Sequence, residues 1–266
     1  MTATRIRYLV PHGTAQIDTI AEGAGPLLVM LPSSARDSED FDLVAAAFAA
    51  AGLRVLRPQP RGMGRSDGAL DDLTLHDYAG DVAAVIRHAN AGPAVVLGHA
   101  FGQWVARTLA ADHPALVRGL VLAAAAAKSP PPQLRPALAR CTDAELPDAE
   151  RLAALRTAFF APGHDPSAWL VGWHQAAGRS QRAASTATPQ ADWWAGGTAP
   201  MLDLQAGQDP WRPRGTLHAL RDELGADRVS VTVVPDASHA LLPEQPEAVV
   251  HAVLAWMRDR FGMPVR

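Results

Sequence analysis

The amino-acid sequence predicts an α/β fold with a mostly parallel central sheet, helices on both faces of that sheet and an inserted helical segment. Short apolar runs alternate with stretches of helical periodicity, a pattern typical of parallel strands joined by helices. Several of these runs are apolar at every position, as expected for strands that are covered on both sheet faces. The alternation stops between residues 128 and 198 and then resumes, which indicates an insertion into a single core.

Turn residues separate the predicted elements along the chain. Two alternating segments around Pro11-His12-Gly13 indicate an opening pair of strands. Gly52 stands where the first helix should stop, and Thr74 with Asp77 three residues later is typical of a helix start. The predicted strands lie within 5–20, where there are two, and at 27–31, 53–56, 95–98, 119–122, 201–205 and 229–234. The predicted helices lie at 41–51, 74–86, 105–114, 217–224 and 249–257.

Length and composition favour one domain with an insertion. With 266 residues and 48% hydrophobic side chains, the chain can bury a large core. Residues 128–198 contain Pro130-Pro131-Pro132, several short helical patterns and four of the tryptophans, but no convincing strand. We therefore predict a core formed by residues 1–127 and 199–266, with a helical cap at 128–198.

Charge and hydropathy point to a small molecule as the partner. The formal net charge is −3 with both signs interspersed, which gives no electrostatic reason to expect binding to nucleic acid or to a membrane surface. The amino terminus lacks the apolar stretch of a signal peptide, and the longest apolar run, 120–127, is far shorter than the ~20 residues that span a bilayer. Cys141 is a lone cysteine, which excludes an intramolecular disulfide. These features predict a soluble, cytoplasmic protein.

The most informative stretch is 95–104, where an apolar run ends in two glycines. Gly98 and Gly102 have the spacing of a nucleophile elbow, G-x-S-x-G, in which a strand reverses sharply into a helix. Glycines at these two places let the strand and helix backbones approach each other. The apex of such a turn carries a nucleophile, a serine, cysteine or aspartate, but this sequence has Ala100 there. The turn is therefore predicted without its nucleophile.

With these features the chain resembles the α/β-hydrolase-fold superfamily over nearly all of its length. The resemblance lies in the elbow at 98–102, the R-G-x-G-x-S loop at 61–66, a cap after the sixth strand, an acidic residue after the seventh and a histidine before the last helix. Its most specific feature is the order of elbow, acid and histidine, which is the chain order of the catalytic triad in that fold. The resemblance implies an enzyme that acts on a small ester or lactone.

The resemblance assigns two members of the triad. Asp209 lies at the end of a predicted strand, where the superfamily places its acid, and His239 matches the catalytic histidine. A neutral imidazole takes up a proton near pH 7, and a carboxylate on its other nitrogen fixes the tautomer and stabilises the imidazolium. Asp203 is a rival acid, but it sits inside the strand, and the structural alternative for Asp209 is a turn residue before Pro210.

The resemblance also indicates an oxyanion hole and a substrate pocket. One donor would be the backbone N–H of Phe101, after the apex, and the other that of Ser34, or of Ser33 if the loop is shifted by one residue. Tryptophans of a cap line a pocket or form the core of the cap itself. The residues predicted to contact substrate are the neighbour of the apex and three cap tryptophans, His99, Trp169, Trp173 and Trp194.

No cofactor or metal ion is predicted. Gly62 and Gly64 do not complete the G-x-G-x-x-G pattern of a dinucleotide site. The histidines other than His239 and His99 show no paired spacing of the kind that metal sites require. The chemistry is therefore expected to come from side chains and water alone.

Ala100 leaves three hypotheses open. In the first, alanine replaces a parent serine, so that substrate is bound without turnover, since loss of such a serine typically costs on the order of a millionfold in turnover. In the second, alanine is native, and His239 with Asp209 activates a water molecule or takes a proton from the substrate without a covalent step. In the third, the protein is a non-catalytic binder of small ligands. The two enzyme hypotheses share a small, fairly apolar carbonyl substrate.

Overall fold

An eight-stranded sheet runs through the centre of the protein, in a computed structural model that describes residues 5–265. The strands cross the sheet in the order β1-β2-β4-β3-β5-β6-β7-β8. β2 is antiparallel to both β1 and β4, and every other neighbouring pair is parallel, which confirms the predicted α/β fold with a mostly parallel sheet. The strands are β1 (Ile6–His12), β2 (Ala15–Glu22), β3 (Leu27–Leu31), β4 (Arg54–Pro58), β5 (Ala94–His99), β6 (Val117–Ala123), β7 (Met201–Ala206) and β8 (Val229–Val234).

Helices connect the parallel strands and also fill the stretch between β6 and β7. The second helix begins as predicted, because the Asp77 carboxylate accepts hydrogen bonds from the backbone N–H (2.8 Å) and the hydroxyl (2.7 Å) of Thr74. The helices are α1 (Asp42–Ala50), α2 (Leu75–Ala89), α3 (Phe101–Asp112), α4 (Arg135–Thr142), α5 (Asp148–Ala158), α6 (Gln175–Ala187), α7 (Gln190–Trp193), α8 (Ala219–Leu224), α9 (Leu241–Glu244) and α10 (Pro246–Phe261). Within residues 5–265, none of them combines the length and the apolar character needed to cross a membrane.

Two hydrophobic clusters cover the two faces of the sheet. Successive side chains of a strand point to opposite faces, so Val96 of β5 belongs to the cluster packed by α2 and α3, whereas Val95 and Leu97 belong to the cluster packed by α1 and α10. All three side chains are fully buried. Each buried aliphatic side chain of this size contributes about 1.5–3 kcal/mol. The continuous apolar runs in the sequence are therefore explained by burial on both faces.

The turn from β5 into α3 is a close packing of backbone on backbone. A Cβ on Gly98 would lie closer than 3.0 Å to backbone atoms of Gly102, and a Cβ on Gly102 would lie equally close to the carbonyl oxygen of Leu31. Between the two glycines, Ala100 adopts φ 49° and ψ −110°, and its N–H donates to the carbonyl of Ala123 (3.0 Å). The predicted elbow is present, and it brings the apex beside the carboxyl ends of β3 and β6.

Replacing Gly98 or Gly102 by alanine tests this packing. We expect each substitution to lower the free energy of unfolding by about 3 kcal/mol, because a Cβ at either position forces backbone atoms apart. Urea unfolding followed by circular dichroism measures the change. Gly215→Ala is the matched control, since a Cβ there meets open space, and it should change stability by less than about 0.5 kcal/mol. Wild-type stability in Gly98→Ala would contradict the close approach.

Candidate active site

His239 and Asp209 form a hydrogen-bonded pair at the carboxyl edge of the sheet. Asp209 follows β7 and His239 follows β8, and Nδ1 of the histidine lies 2.9 Å from Oδ2 of the aspartate. The other carboxylate oxygen accepts the backbone N–H of Trp211 (2.8 Å), and both members of the pair are buried. Since a carboxylate accepts at Nδ1, the proton of a neutral imidazole sits there and Nε2 carries the free lone pair. His239 is thus arranged to accept a proton at Nε2.

The ring of His239 is held by aromatic neighbours and by a second histidine. Phe159 and Trp211 lie with their ring centroids 5.6 Å from the imidazole. Nε2 of His99 lies 2.7 Å from the carbonyl oxygen of His239 and, since a carbonyl only accepts, must donate to it. Complete burial, together with the charge of His239, lowers the pKa of His99 to about 3, so this side chain is neutral. The His99 ring thus lies beneath the His239 backbone, with its Nε2–H engaged there, and its contact with substrate stays a prediction.

Glu244 braces the same loop from the other side. Its carboxylate accepts the backbone N–H groups of Ser238 and Ala161, each at 2.6 Å, and so ties the residue before His239 to the segment that follows α5. Burial raises the pKa of Glu244. Glu244 was not predicted as a site residue, although its acidic side chain stands five positions after the histidine, at the end of a short helix.

A cavity of about 180 Å³ brings the elbow and the histidine together. Ala100, Phe101 and His239 all line it, as do Ser33 and Ser34 from the loop after β3. No aspartate or glutamate of residues 5–265 lines the cavity. Most of its wall is apolar and consists of Trp104, Ala126, Pro130, Leu138, Phe159, Trp173 and Trp211. The space in front of His239 therefore suits a small molecule of largely apolar character.

The apex of the elbow points a methyl group at this space. Ala100 precedes the first residue of α3, Phe101, whose backbone N–H belongs to the group at a helix start that lacks an acceptor within the helix. A positive φ at a residue with a side chain costs on the order of 1–3 kcal/mol. The geometry of a nucleophile elbow is therefore maintained around Ala100 without the hydroxyl group that such strain normally serves.

The loop after β3 is tied to α6 by one amide. Oε1 of Gln181 accepts the hydroxyl of Ser34 (3.0 Å) and the backbone N–H of Ala35 (2.8 Å). The Ser34 hydroxyl is thus engaged as a donor, and both Ser33 and Ser34 line the cavity. Gln181 had no signal in the sequence, because only the packing of α6 brings it to this loop.

The three predicted tryptophans have three different positions. Trp173 lines the cavity. Trp169 does not, because it packs inside the 128–198 segment against Phe160 and the guanidinium of Arg36, which lies 4.7 Å from its ring centroid. Trp194 lies elsewhere, under the guanidinium of Arg107 at 4.3 Å, and joins the core cluster around α2 and α3. Trp169 and Trp194 both pack in hydrophobic clusters and do not line the cavity, and their contact with substrate stays a prediction.

Several residues of the cavity were not predicted. Gln103 and Trp104 follow the elbow directly, and Trp211 stands two residues after Asp209, so their places in the sequence were signals. Phe159, Gln181 and Arg182 come from the 128–198 segment, whose packing the sequence does not reveal. Arg182 is the one side chain with a permanent charge that lines the cavity among the described residues.

The rival acid, Asp203, has a structural role. It is fully buried in β7, where Arg212 pairs with it at 2.8 Å and the amide of Gln205 donates to it at 2.7 Å. Burial raises the pKa of Asp203, against the influence of Arg212. The carboxylate that reaches His239 is that of Asp209. Over the same residues, 5–265, no group of three histidine, cysteine or acidic side chains is placed to hold a metal ion.

Comparison with known proteins gives one family and several relatives. A family profile described as "Alpha/beta hydrolase family" matches residues 28–252. The chain is 30% identical over 112 residues to 2-(acetamidomethylene)succinate hydrolase of Mesorhizobium japonicum, and 31% identical over 113 residues to pyrrolizixenacetamide deacetylase of Xenorhabdus hominickii. These matches cover 42% of this chain in both cases, and 40% and 42% of the respective relatives, so they span about two fifths of the curated proteins.

The fold is also shared with a solved structure. A thermophilic esterase from Thermogutta terrifontis superimposes with a TM-score of 0.77, covering 96% of this chain and 98% of the esterase chain, at 20% sequence identity. At this identity the likeness concerns the fold alone.

The neutral state of His99 predicts a pH dependence of stability. The pKa of His99 is lower in the folded protein than its ordinary value of 6.5, so its contribution to stability is complete above pH 6.5 and is lost as the pH falls towards 3. The slope is about 1.4 kcal/mol per pH unit in that interval. We expect His99→Gln, whose amide still donates to the carbonyl of His239, to lose that slope in urea unfolding at pH 7, 6, 5 and 4.

The exposed His251 on α10 provides the control for this experiment. His251→Gln should leave the pH dependence of the free energy of unfolding as it is in the wild type. If the curves of the wild type and His99→Gln run parallel between pH 7 and 4, His99 is not held neutral by its surroundings.

Proposed function

The chain belongs to the alpha/beta hydrolase family, and we propose that it hydrolyses a small, fairly apolar ester or lactone with a water molecule that His239 activates. The observation that carries this proposal is the intact His239–Asp209 pair facing the cavity that Ala100 lines. Removal of a nucleophile leaves this pair able to act as a general base on water, because a neutral imidazole with an oriented tautomer is suited to that step.

In the proposed reaction the water oxygen attacks the carbonyl carbon of the substrate. As the new C–O bond forms, one water proton moves to Nε2 of His239, and the π electron pair of the carbonyl moves onto its oxygen. Asp209 accepts at Nδ1 and stabilises the imidazolium that results. The tetrahedral intermediate then re-forms the carbonyl, and the alcohol leaves with the proton that His239 returns. No covalent bond to the protein is formed at any stage.

The start of α3 supplies electrostatic support for the intermediate. The backbone N–H of Phe101 stands at the positive end of the helix dipole, next to the apex. Donors that are already oriented towards a developing oxyanion typically account for about 10²–10³ in rate. A backbone donor at Ser33 or Ser34 is proposed as the second member of this oxyanion hole, since both residues line the cavity.

The walls of the cavity support the proposed class of substrate. Aromatic and aliphatic side chains make up most of the lining, and neither an aspartate nor a glutamate of residues 5–265 reaches it. The curated relatives are named a hydrolase and a deacetylase, which supports hydrolysis at a carbonyl carbon. An oriented water is a weaker nucleophile than an activated serine, so we expect it to cleave the more reactive carbonyl compounds. We place ester and lactone bonds first because their leaving groups need less activation than that of an amide.

A second candidate function, binding without turnover, is favoured by one observation, the methyl group of Ala100 where a nucleophile would stand. Such a protein would use the same cavity for a ligand. It differs from the enzyme in having no need of a base, so His239 would be dispensable for its function.

A panel of activated esters and lactones separates these functions. We expect the wild type to hydrolyse at least one compound, and His239→Ala to lower kcat/KM by about 100-fold or more, because the base is lost. The control is His251→Ala, because His251 is exposed and does not line the cavity, and this variant should retain wild-type activity. Mass spectrometry of the wild type during turnover should detect no acylated protein.

Ala100→Ser completes the comparison. A gain of several decades in kcat/KM, with an inactive wild type, would identify a serine hydrolase that lacks its serine and would contradict the proposal. Thermal stabilisation by panel compounds, with no turnover in the wild type or in Ala100→Ser, would favour the binding function.

A further inference from the structure

A second cavity adjoins the cavity of the candidate active site. Its volume is about 200 Å³, and four of its lining residues also line the first cavity. The shared residues are Ala35, Thr142, Trp173 and Arg182. The walls that belong to the second cavity alone come from α6, which lines both spaces. A molecule whose reacting carbonyl lies beside the elbow can therefore extend along α6 into the second cavity.

The second cavity is lined by two positive charges. Arg179 and Arg182 stand three residues apart on α6, which places them on the same side of that helix. Both side chains are exposed, and within residues 5–265 neither guanidinium has an ion pair or a hydrogen bond. No aspartate or glutamate among the same residues lines either cavity. Because neighbouring like charges destabilise a helix, this pair favours an anionic occupant.

The guanidinium of Arg182 lies where the two cavities meet. Its Nη1 atom is 3.8 Å from the point that a Cβ on Gly178 would occupy, and the Cβ of Ala35 is 2.7 Å from that same point. Ala35 lines both cavities and belongs to the loop that follows β3. The charge thus stands beside the loop that also carries Ser33 and Ser34, on the side of the candidate active site that α6 forms.

The other polar side chains of the second cavity are already engaged as donors. The hydroxyl of Thr142 donates to the carbonyl of Ala139 (3.0 Å), and the amide of Gln175 donates to the carbonyl of Thr142 (2.8 Å). The indole N–H of Trp173 donates to the carbonyl of Trp169. The two guanidinium groups are therefore the side chains of this cavity that keep all their donors for a ligand.

We propose that Arg182 and Arg179 bind a carboxylate at the end of the substrate distant from the scissile carbonyl, and this inference rests on the proposed function. A guanidinium presents parallel N–H groups that match the two coplanar oxygens of a carboxylate, and such charge-assisted hydrogen bonds are strong. The apolar wall beside His239 then receives the chain around the scissile bond. The substrate class is thereby narrowed to esters or lactones that carry a carboxylate.

A pair of substrates tests the inference. 4-Nitrophenyl hydrogen adipate carries a carboxylate, and in 4-nitrophenyl methyl adipate that carboxylate is a neutral ester with the same leaving group. We expect Arg182→Met to raise KM for the anionic compound about 30-fold with kcat within about threefold, because the lost contact is the same before and during the reaction. For the neutral compound, kcat/KM should stay within about threefold of the wild type. Arg179→Met should act in the same direction and less strongly.

Arg156 on α5 provides the matched control. It is exposed and lines neither cavity, so Arg156→Met removes an equal charge without touching the proposed site. KM for both compounds should stay within about twofold of the wild type, because solvent and salt screen an exposed charge. The melting temperature of Arg182→Met should equal that of the wild type, because its guanidinium has no partner within residues 5–265.

Four results would overturn the inference. An unchanged KM for the anionic compound in Arg182→Met means that the guanidinium does not meet the carboxylate. Equal rises of KM for both compounds mean that Arg182 only shapes the cavity. An equal effect of Arg156→Met means that the net charge of the surface is responsible. Tighter binding of the analogue with a phosphonate in place of the carboxylate means that the site takes a phosphate-type group instead.

Calorimetry separates this inference from the proposed function. The protein is His239→Ala, which lacks the base, and the ligands are monomethyl adipate, an anion, and dimethyl adipate, its neutral counterpart. We expect the anion to bind at least about tenfold more tightly, and this preference to vanish when Arg182→Met is added. If the preference is present and the wild type hydrolyses no ester, the proposed function fails while the carboxylate site stands. If esters are hydrolysed and the preference is absent, the carboxylate site alone fails.

Discussion

The site depends on the contact of three backbone segments that only glycine permits. Gly98 lies against the start of α3 at Gly102, and Gly102 lies against the carbonyl of Leu31 at the end of β3. This contact sets the direction in which the chain leaves β5. It therefore places the Ala100 methyl and the Phe101 N–H at the carboxyl edge of the sheet. It also brings the loop after β3 within reach of the same cavity. The other groups of the site, His239 among them, line the cavity around Ala100, whose position these two glycines set.

His239 is fixed from three directions, and each depends on a defined protonation state. Asp209 accepts at Nδ1, neutral His99 donates to the carbonyl, and the Glu244 carboxylate accepts the N–H of the residue before it. The low pKa of His99 matters here, because a charged ring 5.9 Å from His239 would oppose formation of the imidazolium that the proposed reaction requires. Burial of His99 thus keeps a second positive charge away from the His239 ring.

Local sequence patterns predicted those parts of the site that adjacent residues define. The glycine spacing of the elbow, Asp209 after β7 and His239 before the last helices needed only strand ends and turns, which periodicity and spacing reveal. The positions of Trp169 and Trp194 in hydrophobic clusters could not be predicted in this way. An aromatic side chain packs equally well in a cap core, in a sheet core or on a pocket wall, and only the tertiary arrangement of residues 128–198 decides among these. His99 was assigned to substrate because its neighbour in sequence is the apex, yet the alternation of β5 turns it away.

The distribution of unfavourable features argues that the alanine-bearing site is a functional one. Ala100 has a positive φ and lines one cavity with His239, and Gln103, three residues later, has a buried amide without a hydrogen-bond partner within residues 5–265. Such features persist where the surroundings enforce them, and they concentrate at sites where geometry is used. The glycine packing of the elbow enforces the strained backbone at Ala100. A strained apex beside an oriented histidine–aspartate pair on one cavity therefore marks this cavity as the candidate site.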